Sequence, residues 1–470
     1  MTRGRGPGAP AAPPLVAAAY PAYPRGALAS TTLRSRRIQL LGLLSVPSGM
    51  PLGFIFNTLQ IFLRGAGVDL KTIGFVSSAS VLWVLKFLWS PFLDRYALRW
   101  PGRRRSWVLI SQLALALAFG VLGAYVWRHL VTGAQGQLAL SAGAAVGIGV
   151  IAVVIVFLSA TQDIALDAYA VEFLRPEEQG PASGLRIMYY RIGMLVAGAL
   201  AVFASEFVPW PWVFAGMGVA FAAFTGVTLA ASEPERPAAP PRTLAAAVWE
   251  PLLAYFRRPN AAVLALFLVF YKFGDNLGGT MVNPFLKDLC FRNVEIGLVL
   301  KTVGTAATIG GAGVGAALMT RLGLGRSLWV FGILQASGNA LYALAAATHP
   351  GPTDIALCAG AHISAATRAA AYVAIAGEYA FQGMGTAALV ALVTRLCEKR
   401  YSATQYALLS SLFALGRWVG TPASGWLAQT MGYRAFFLAA TAVSIPGLLL
   451  LQKIAPIQQK EVPAAEPQAG

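Results

Sequence analysis

The sequence predicts an all-α membrane protein with about twelve transmembrane helices. Of its 470 residues, 57% are hydrophobic and 12% are charged, whereas soluble proteins contain about 25% charged residues. Its uncharged runs, each near 20 residues, are long enough to cross about 30 Å of hydrocarbon. The basic residues lie mainly between these runs, which is typical of loops beside a membrane.

Six spans are expected in each half of the chain. In the first half they are residues 38–63, 72–93, 106–127, 142–173, 183–205 and 211–231. In the second half they are residues 261–283, 295–320, 327–347, 369–396, 404–429 and 434–452. Features recur in the same order, since Gln179 precedes Arg191 by the interval that separates Gln405 from Arg417. This repetition predicts two pseudo-symmetric six-helix halves, the arrangement of the major facilitator fold.

Segments of polar and proline-rich composition divide the chain. The predicted parts are a tail at 1–37, a bundle at 38–231, a linker at 232–260, a bundle at 261–452 and a tail at 453–470. The tails are rich in Ala and Pro, which favours disorder. The linker opens with prolines and continues into an apolar stretch before Arg257. That stretch is either a helix on the membrane surface or an ordinary linker.

Lys and Arg residues concentrate on one side of the predicted helices. Basic groups precede the first span and follow the second, sixth and tenth spans, while the alternate loops carry few. Cytoplasmic loops are enriched in Lys and Arg, so this asymmetry predicts that both termini are cytoplasmic. We expect a multi-pass protein of the bacterial inner membrane.

A charged loop joins the second and third predicted spans. It contains a carboxylate, a glycine and four arginines: Asp94, Arg95, Gly102, Arg103, Arg104 and Arg105. Charges at helix ends can bridge two helices in one conformation and separate in another. We therefore predict that this loop controls a conformational switch.

Asp163 and Asp167 are the strongest candidates for proton coupling. They are four residues apart, so they share one face of a helix, and Asp163 falls near the middle of the predicted membrane. A charge inside a span costs roughly 2.5–3.5 kcal/mol or more, and two neighbouring carboxylates favour retention of a proton. The alternative is structural pairing with Lys86 or Arg191, and both roles are compatible.

Other embedded charges are candidates for substrate binding. Arg191 and Arg417 occupy matching places in the two halves. Because Arg binds carboxylate or phosphate in a bidentate manner, the pair predicts an anionic substrate. Lys272 and Asp275 either neutralise each other or line the same cavity. The remaining embedded candidates are Lys86 and Glu378.

The charged loop resembles the signature loop of major facilitator transporters, and the chain as a whole resembles the AmpG-type muropeptide permeases. The segments that carry the second resemblance are residues 70–75, 86–91, 159–168, 190–196, 271–275, 383–387 and 402–410. The similarity runs in order from about Leu40 to Leu451. It implies uptake of anhydro-muropeptides, which are sugar–peptide fragments of the cell wall, from periplasm to cytoplasm, driven by the proton gradient. Acetyl-CoA transporters are distant relatives of this group.

The resemblance also adds two candidate substrate-binding residues, and the sequence differs from the family pattern in two places. Gln162 lies in a matching segment, and Tyr169 offers an aromatic surface for a sugar. After Ala168, residues 169–172 read Tyr-Ala-Val-Glu where the family usually has Trp, Lys, Thr and Asp, and Phe381-Gln382 replaces a Cys-Gly pattern. These departures bear on the substrate rather than on the family.

Several classes of function are disfavoured. The chain has three cysteines and three histidines, widely scattered, and no motif of a hydrolase, metalloprotease or nucleotide-binding enzyme. We therefore expect no catalytic residues, no metal, no cofactor and no nucleic-acid partner. A membrane-embedded enzyme or a sensor is a poor fit.

The expected partners are a small-molecule substrate, protons and membrane lipid, with the protein acting as a monomer. The alternative function is transport of another anionic metabolite, such as an acyl-CoA or a sugar acid.

Overall fold

The computed structural model describes residues 35–454 with internal gaps. The gaps are residues 69–71, 74–75, 77, 97, 99, 133–137, 235–239, 258–259, 293–294, 297–298 and 349–362, and at 132, 301 and 414–423 only the backbone is described. The predicted tails, residues 1–37 and 453–470, fall almost wholly outside the described residues.

Helices dominate the first half, as its apolar runs require, because a chain in hydrocarbon must satisfy its backbone polar groups internally. They are α1 (Arg36–Leu43), α2 (Ser45–Gly53), α3 (Leu59–Gly65), α4 (Val81–Leu85), α5 (Ser90–Arg95), α6 (Arg105–His129), α7 (Ala142–Phe173), α8 (Gln179–Leu195), α9 (Ala201–Ala204) and α10 (Trp210–Ala230). π-Helical turns at Phe54–Thr58 and Val196–Leu200 connect α2 to α3 and α8 to α9. A short antiparallel pair, β1 (Val131–Thr132) and β2 (Leu138–Ala139), follows α6.

The second half repeats this helical character. Its helices are α11 (Leu244–Phe256), α12 (Ala261–Phe270), α13 (Phe273–Gly279), α14 (Val282–Asp288), α15 (Thr305–Ala347), α16 (Ala365–Leu396), α17 (Ser402–Val443) and α18 (Ile445–Ile454). Helix α11 lies within the predicted linker, so the apolar stretch there is helical in this structure.

Among the described residues, eight helices are long and apolar enough to cross a membrane, or nine if the bent pair Ala365–Leu396 and Lys399–Phe413 forms one span. The second predicted span is broken into short pieces: Ser78–Ser80, α4, Lys86–Leu88 and α5. It is therefore not among the eight. The predicted count of twelve stays a prediction.

Two of the long helices each contain a glycine that breaks the helix. Helix α15 has 43 residues and α17 has 42, which is about 65 Å at 1.5 Å per residue and twice the hydrocarbon thickness. Gly323 in α15 has φ 73° and Gly432 in α17 has φ 75°. A Cβ is disfavoured at these angles, so each glycine allows the chain to change direction between two predicted spans.

Each half has its own aromatic core. In the first half, the ring of Phe54 lies 5.0 Å from that of Phe119 and 5.9 Å from that of Phe214. In the second half, Phe437 lies 5.2 Å from Phe285 and stacks on another buried ring. Such edge-to-face pairs contribute about 0.5–1.5 kcal/mol beyond their buried area, so aromatic packing stabilises the core of each half.

The halves meet where α8 crosses α15. A Cβ on Gly184 would lie 2.8 Å from the carbonyl oxygen of Ala312. Only a glycine permits this approach without displacing one helix, because real Cβ atoms do not come so close to backbone. The contact lies toward the end of the bundle that carries the charged loop, where Arg395 of α16 also donates to the carbonyl of Pro176 (3.4 Å).

Candidate functional site

The carboxylate of Asp94 joins the two halves at this end of the molecule. It is fully buried at the end of α5 and accepts hydrogen bonds from the backbone amides of Ala403 (3.2 Å) and Thr404 (2.8 Å) and from the Thr404 hydroxyl (2.7 Å). These donors form the first turn of α17. A carboxylate is stabilised there because the N-terminus of a helix carries a partial positive charge.

Two arginines of the charged loop complete this contact. Arg104 Nη2 lies 2.5 Å from Asp94 Oδ1 and 2.7 Å from Glu172 Oε1, and it also donates to the Ser402 hydroxyl (2.8 Å). Arg103 donates to the backbone carbonyl of Asp94 (3.0 Å). We call Asp94, Arg103, Arg104, Glu172, Ser402 and Thr404 the inter-half network. Its buried charges are paired and hydrogen-bonded, as burial requires.

The other predicted members of the loop have different contacts. Arg105 donates to the carbonyls of Thr228 (3.0 Å) and Leu229 (2.7 Å) and lies 3.5 Å from Glu233. Gly102 passes so close to the Glu233 carboxylate that a Cβ would collide with it. Burial raises the pKa of Glu233, and Arg105 opposes that effect. Arg105 and Gly102 thus fasten the start of the linker to the first half.

Arg95 lies apart from both sets of contacts. Its guanidinium lies 5.5 Å from the ring centroid of Tyr96, and its side chain is partly exposed. Of the six residues predicted to form the switch, Asp94 and Arg104 contact the first turn of α17, and Arg103 donates to the carbonyl of Arg400 in the second half (3.4 Å).

Asp163 and Asp167 occupy different environments although they share one face of α7. Asp163 accepts a hydrogen bond from the hydroxyl of Ser48 on α2. Asp167 lies between two cations, 3.3 Å from Lys86 Nζ and 2.6 Å from Arg186 Nη2. Pairing with Lys86 was the structural alternative expected for these two carboxylates. That ion pair forms at Asp167. Lys86, Asp163, Asp167 and Arg186 are called the N-terminal charge cluster.

This cluster reaches the second half of the chain through Lys86. Its Nζ lies 5.9 Å from the ring centroid of Tyr406, near the start of α17. A cation over an aromatic face is attracted to it. The N-terminal charge cluster and the inter-half network thus both contact the first turns of α17.

A second buried cluster lies in the other half, where α12 ends and α13 begins. Lys272 Nζ lies 3.0 Å from Asp275 Oδ2 and donates to Gln335 Oε1 (2.7 Å). Gln335 Nε2 in turn donates to the carbonyl of Tyr271 (2.8 Å). Lys272 and Asp275 thus neutralise each other, as one of the two expected readings had it, and Gln335 of α15 holds the pair in position.

Glu378 on α16 extends this cluster toward the first half. It is buried and accepts a hydrogen bond from Gln382 (3.4 Å). It interacts electrostatically with Lys272, Asp275 and Arg191, and the last of these lies on α8 of the first half. Lys272, Asp275, Gln335 and Glu378 are called the C-terminal charge cluster. Arg191 is therefore near a carboxylate of the opposite bundle.

The remaining candidates are placed as follows. Gln162 is fully buried, and neither of its amide atoms has a hydrogen-bond partner within the described part of the chain. Tyr169 stacks on Phe173 (4.9 Å) and donates to the carbonyl of Ser232 (2.5 Å), so it packs beside the linker. The side chain of Arg417 lies outside the described residues, and its match with Arg191 stays a prediction.

Sequence reasoning missed three buried residues that the structure brings into these clusters. Arg186 is not among the predicted site residues, yet it pairs with Asp167. The small residues that precede it, Gly180–Gly184, indicate a tightly packed helix face and could have signalled burial. Glu172 and Gln335 gave no local signal, because their partners lie far away in the sequence.

Buried ion pairs thus occur in two places, one in each half. Among the described residues, no group of three or more His, Cys, Asp or Glu side chains is positioned to hold a metal ion. Paired carboxylates and cations in a membrane interior are typical of substrate and proton pathways.

The family model described as "Acetyl-coenzyme A transporter 1" matches residues 37–208. The chain is 39% identical over 417 residues to the anhydromuropeptide permease of Escherichia coli strain K12, covering 88% of this chain and 79% of that protein. The human organic anion transporter MFSD10 has a similar structure, with a TM-score of 0.65 and 14% identity over 89% of this chain and 99% of that chain. The transporter FucP in its outward conformation has a TM-score of 0.66 and 10% identity over 91% and 100%.

These comparisons confirm the predicted fold class and the predicted resemblance. The solved neighbours are transporters of the major facilitator superfamily, and the similar curated protein is a permease rather than an enzyme. The chain is an integral membrane protein that belongs to the anhydromuropeptide permease (AmpG) family of major facilitator transporters.

Proposed function

We propose that this protein is a proton-coupled importer of anhydro-muropeptide-like cell-wall fragments across the bacterial inner membrane. The observation that carries this proposal is the 39% identity with a protein named anhydromuropeptide permease over most of both chains. The direction is from periplasm to cytoplasm, both termini are cytoplasmic, and the protein acts as a monomer surrounded by lipid.

The N-terminal charge cluster serves proton coupling in this proposal, and the C-terminal charge cluster lies at the substrate site. Asp163 and Asp167 form the proton-coupling site, in which Asp163 takes up the proton because Asp167 is already held by Lys86 and Arg186. Protonation neutralises the Asp163 carboxylate. This lowers the free-energy cost of burying that side chain while the transporter passes through a closed conformation. Release of the proton restores an unpaired charge and resets the cycle.

The substrate's anionic group binds at Arg191, beside the C-terminal charge cluster. Arg offers two parallel donors to a carboxylate, and the buried carboxylate of Glu378 interacts electrostatically with Arg191. Lys272, Asp275 and Gln162 provide further polar contacts, and Arg417 contributes from the opposite bundle. Tyr169 provides an aromatic surface when the linker end of the molecule opens.

Opening toward the cytoplasm requires the inter-half network to separate. Asp94 and Arg104 leave the first turn of α17, and Glu172 leaves Ser402. A contact that forms in one conformation and breaks in the other allows the central binding site to open to each side of the membrane in turn.

Uptake of labelled anhydro-muropeptide into proteoliposomes with an imposed pH gradient tests the proposal. Accumulation that collapses when a protonophore removes the gradient supports it. Downhill equilibration that is equal with and without the gradient rules out proton coupling, and no uptake at all rules out the substrate.

The match of residues 37–208 to an acetyl-CoA transporter model favours one second candidate, an acyl-CoA carrier. The same vesicles distinguish the two, because labelled acetyl-CoA would accumulate while anhydro-muropeptide would not.

A further inference from the structure

An apolar groove lies on the side of the first half, separate from both charge clusters. It has a volume of about 550 Å³ and is formed by the end of the second predicted span, α6, α7 and the linker helix α11. Leu88, Ile110 and Phe157 line it and are also exposed on the outer surface. The groove therefore opens to the surroundings of the bundle, which are lipid.

The indole and hydroxyl donors of Trp89, Trp107 and Thr161 in the lining are hydrogen-bonded within the protein. Trp89 Nε1 donates to Thr161 Oγ1 (3.1 Å), and the Thr161 hydroxyl donates to the carbonyl of Phe157 (2.8 Å). Trp107 Nε1 donates to the carbonyl of Tyr96 (2.8 Å). Because these donors are already satisfied, an occupant gains little from hydrogen bonding and much from burying methylene groups.

The groove extends from the membrane surface inward. Trp107 is in the first turn of α6, whereas Phe157 lies 16 residues before the end of α7 at Phe173. Phe157 therefore lies about midway along the 32-residue α7, and one leaflet of the hydrocarbon core is about 15 Å thick. An extended acyl chain therefore fits the direction of the groove.

Helix α11 covers the outer end of the groove and has the character of an interfacial helix. Val248 faces the groove, while Trp249 and Phe256 are exposed, and aromatic residues are enriched at the level of lipid headgroups. The Tyr401 hydroxyl donates to Glu250 on α11, and Arg400 lies 3.9 Å from the same carboxylate. These contacts hold α11 in place over the groove.

Basic residues flank this outer end. Arg242 is exposed two residues before Leu244, which lines the groove, and Arg95 follows the lining residue Phe92 by one turn. Arginines beside a membrane surface attract anionic headgroups. We propose that the groove is a binding site for one anionic phospholipid, with an acyl chain between α6, α7 and α11 and its phosphate near Arg242 and Arg95.

The proposal is tested by native mass spectrometry of the full-length protein, titrated with phosphatidylglycerol or phosphatidylcholine. Val248→Trp fills the groove, and Val219→Trp is the matched control, because Val219 is exposed on α10 outside the groove. We expect Val248→Trp to weaken retention of one phosphatidylglycerol by about tenfold and Val219→Trp to leave it unchanged. Arg242→Gln should weaken retention of phosphatidylglycerol and leave phosphatidylcholine unaffected. Equal retention by both tryptophan variants overturns the proposal.

A second measurement uses the unaltered protein, in case Val248→Trp displaces α11. Phosphatidylglycerol with a photoactivatable diazirine in its acyl chain is reconstituted with the protein and irradiated, and the adducts are mapped by peptide mass spectrometry. Adducts concentrated in residues 88–93, 107–111, 157–161 and 244–248 support the site. Adducts spread evenly over the lipid-facing helices, or crosslinks between two copies of the chain at these segments, overturn it.

Discussion

The Asp94 carboxylate of the first half accepts a hydrogen bond from the backbone amide of Thr404 in the second half, over 2.8 Å. The two residues are 310 positions apart in the sequence. A local charged loop thereby becomes a contact between bundles, and Arg104 adds an ion pair on the same carboxylate.

Asp94→Asn should slow transport of every substrate by about tenfold or more, which corresponds to about 1.4 kcal/mol. The amide keeps the shape but loses the charge that both the helix N-terminus and Arg104 stabilise. Initial uptake rates for two or more substrates in proteoliposomes measure the effect. Arg128→Gln, at an exposed helix end, is the control and should behave as wild type. A change in which solute is carried, at an unchanged rate, would contradict the assignment.

Asp163→Asn should abolish gradient-driven accumulation and spare substrate exchange. The amide resembles the protonated carboxylic acid and can still accept the hydrogen bond from Ser48. Uptake driven by a pH gradient is compared with counterflow in the same vesicles. Glu206→Gln, at an exposed position, is the control. Full accumulation by Asp163→Asn would exclude this residue as the coupling site and leave Glu378 or Asp275 as the next candidate.

Asp167→Asn should mainly destabilise the folded protein. It leaves Lys86 and Arg186 without their common buried counter-charge, and the loss of one partner from a buried pair costs about 3–5 kcal/mol. We expect a lower melting temperature in detergent, measured by intrinsic fluorescence, and a lower yield of folded protein. An unchanged melting temperature together with lost coupling would show that Asp167 acts in proton transfer rather than in charge balance.

Arg191→Lys should impair substrate binding nearly as much as Arg191→Ala, because a point charge does not replace a bidentate fork. The measurement is the apparent KM for uptake, with Arg128→Lys at an exposed helix end as the control. Arg417→Lys is expected to have the same effect. Unchanged apparent affinity in both lysine variants would remove these residues from the site.

Lys272→Met and Asp275→Leu should each destabilise the protein more than the two changes combined. Either single substitution leaves one buried charge uncompensated, whereas the double variant removes both charges. A double-mutant cycle on the melting temperature gives the coupling between them. Strict additivity of the two single effects would mean that the 3.0 Å pair contributes nothing to stability.

Features that depend on local composition and spacing can be predicted from the amino-acid sequence. Long uncharged runs require a low-dielectric solvent, so the helical membrane fold follows from composition. The three-residue interval between Lys272 and Asp275 predicts that the two can pair, and the ion pair forms between Lys272 at the N-cap of α13 and Asp275 in its first turn. The charged loop at residues 94–105 was equally visible, because its members are close in the chain.

Which charged side chains pair with one another depends on how the helices pack. Asp163 and Asp167 look equivalent in the sequence, yet one contacts Ser48 and the other lies beside Arg186, because the helices that pack against α7 differ at each turn. The contacts of Glu172 with the second half and of Gln335 with Lys272 join distant segments. Such pairings depend on how helices cross, which side-chain spacing along one helix does not specify.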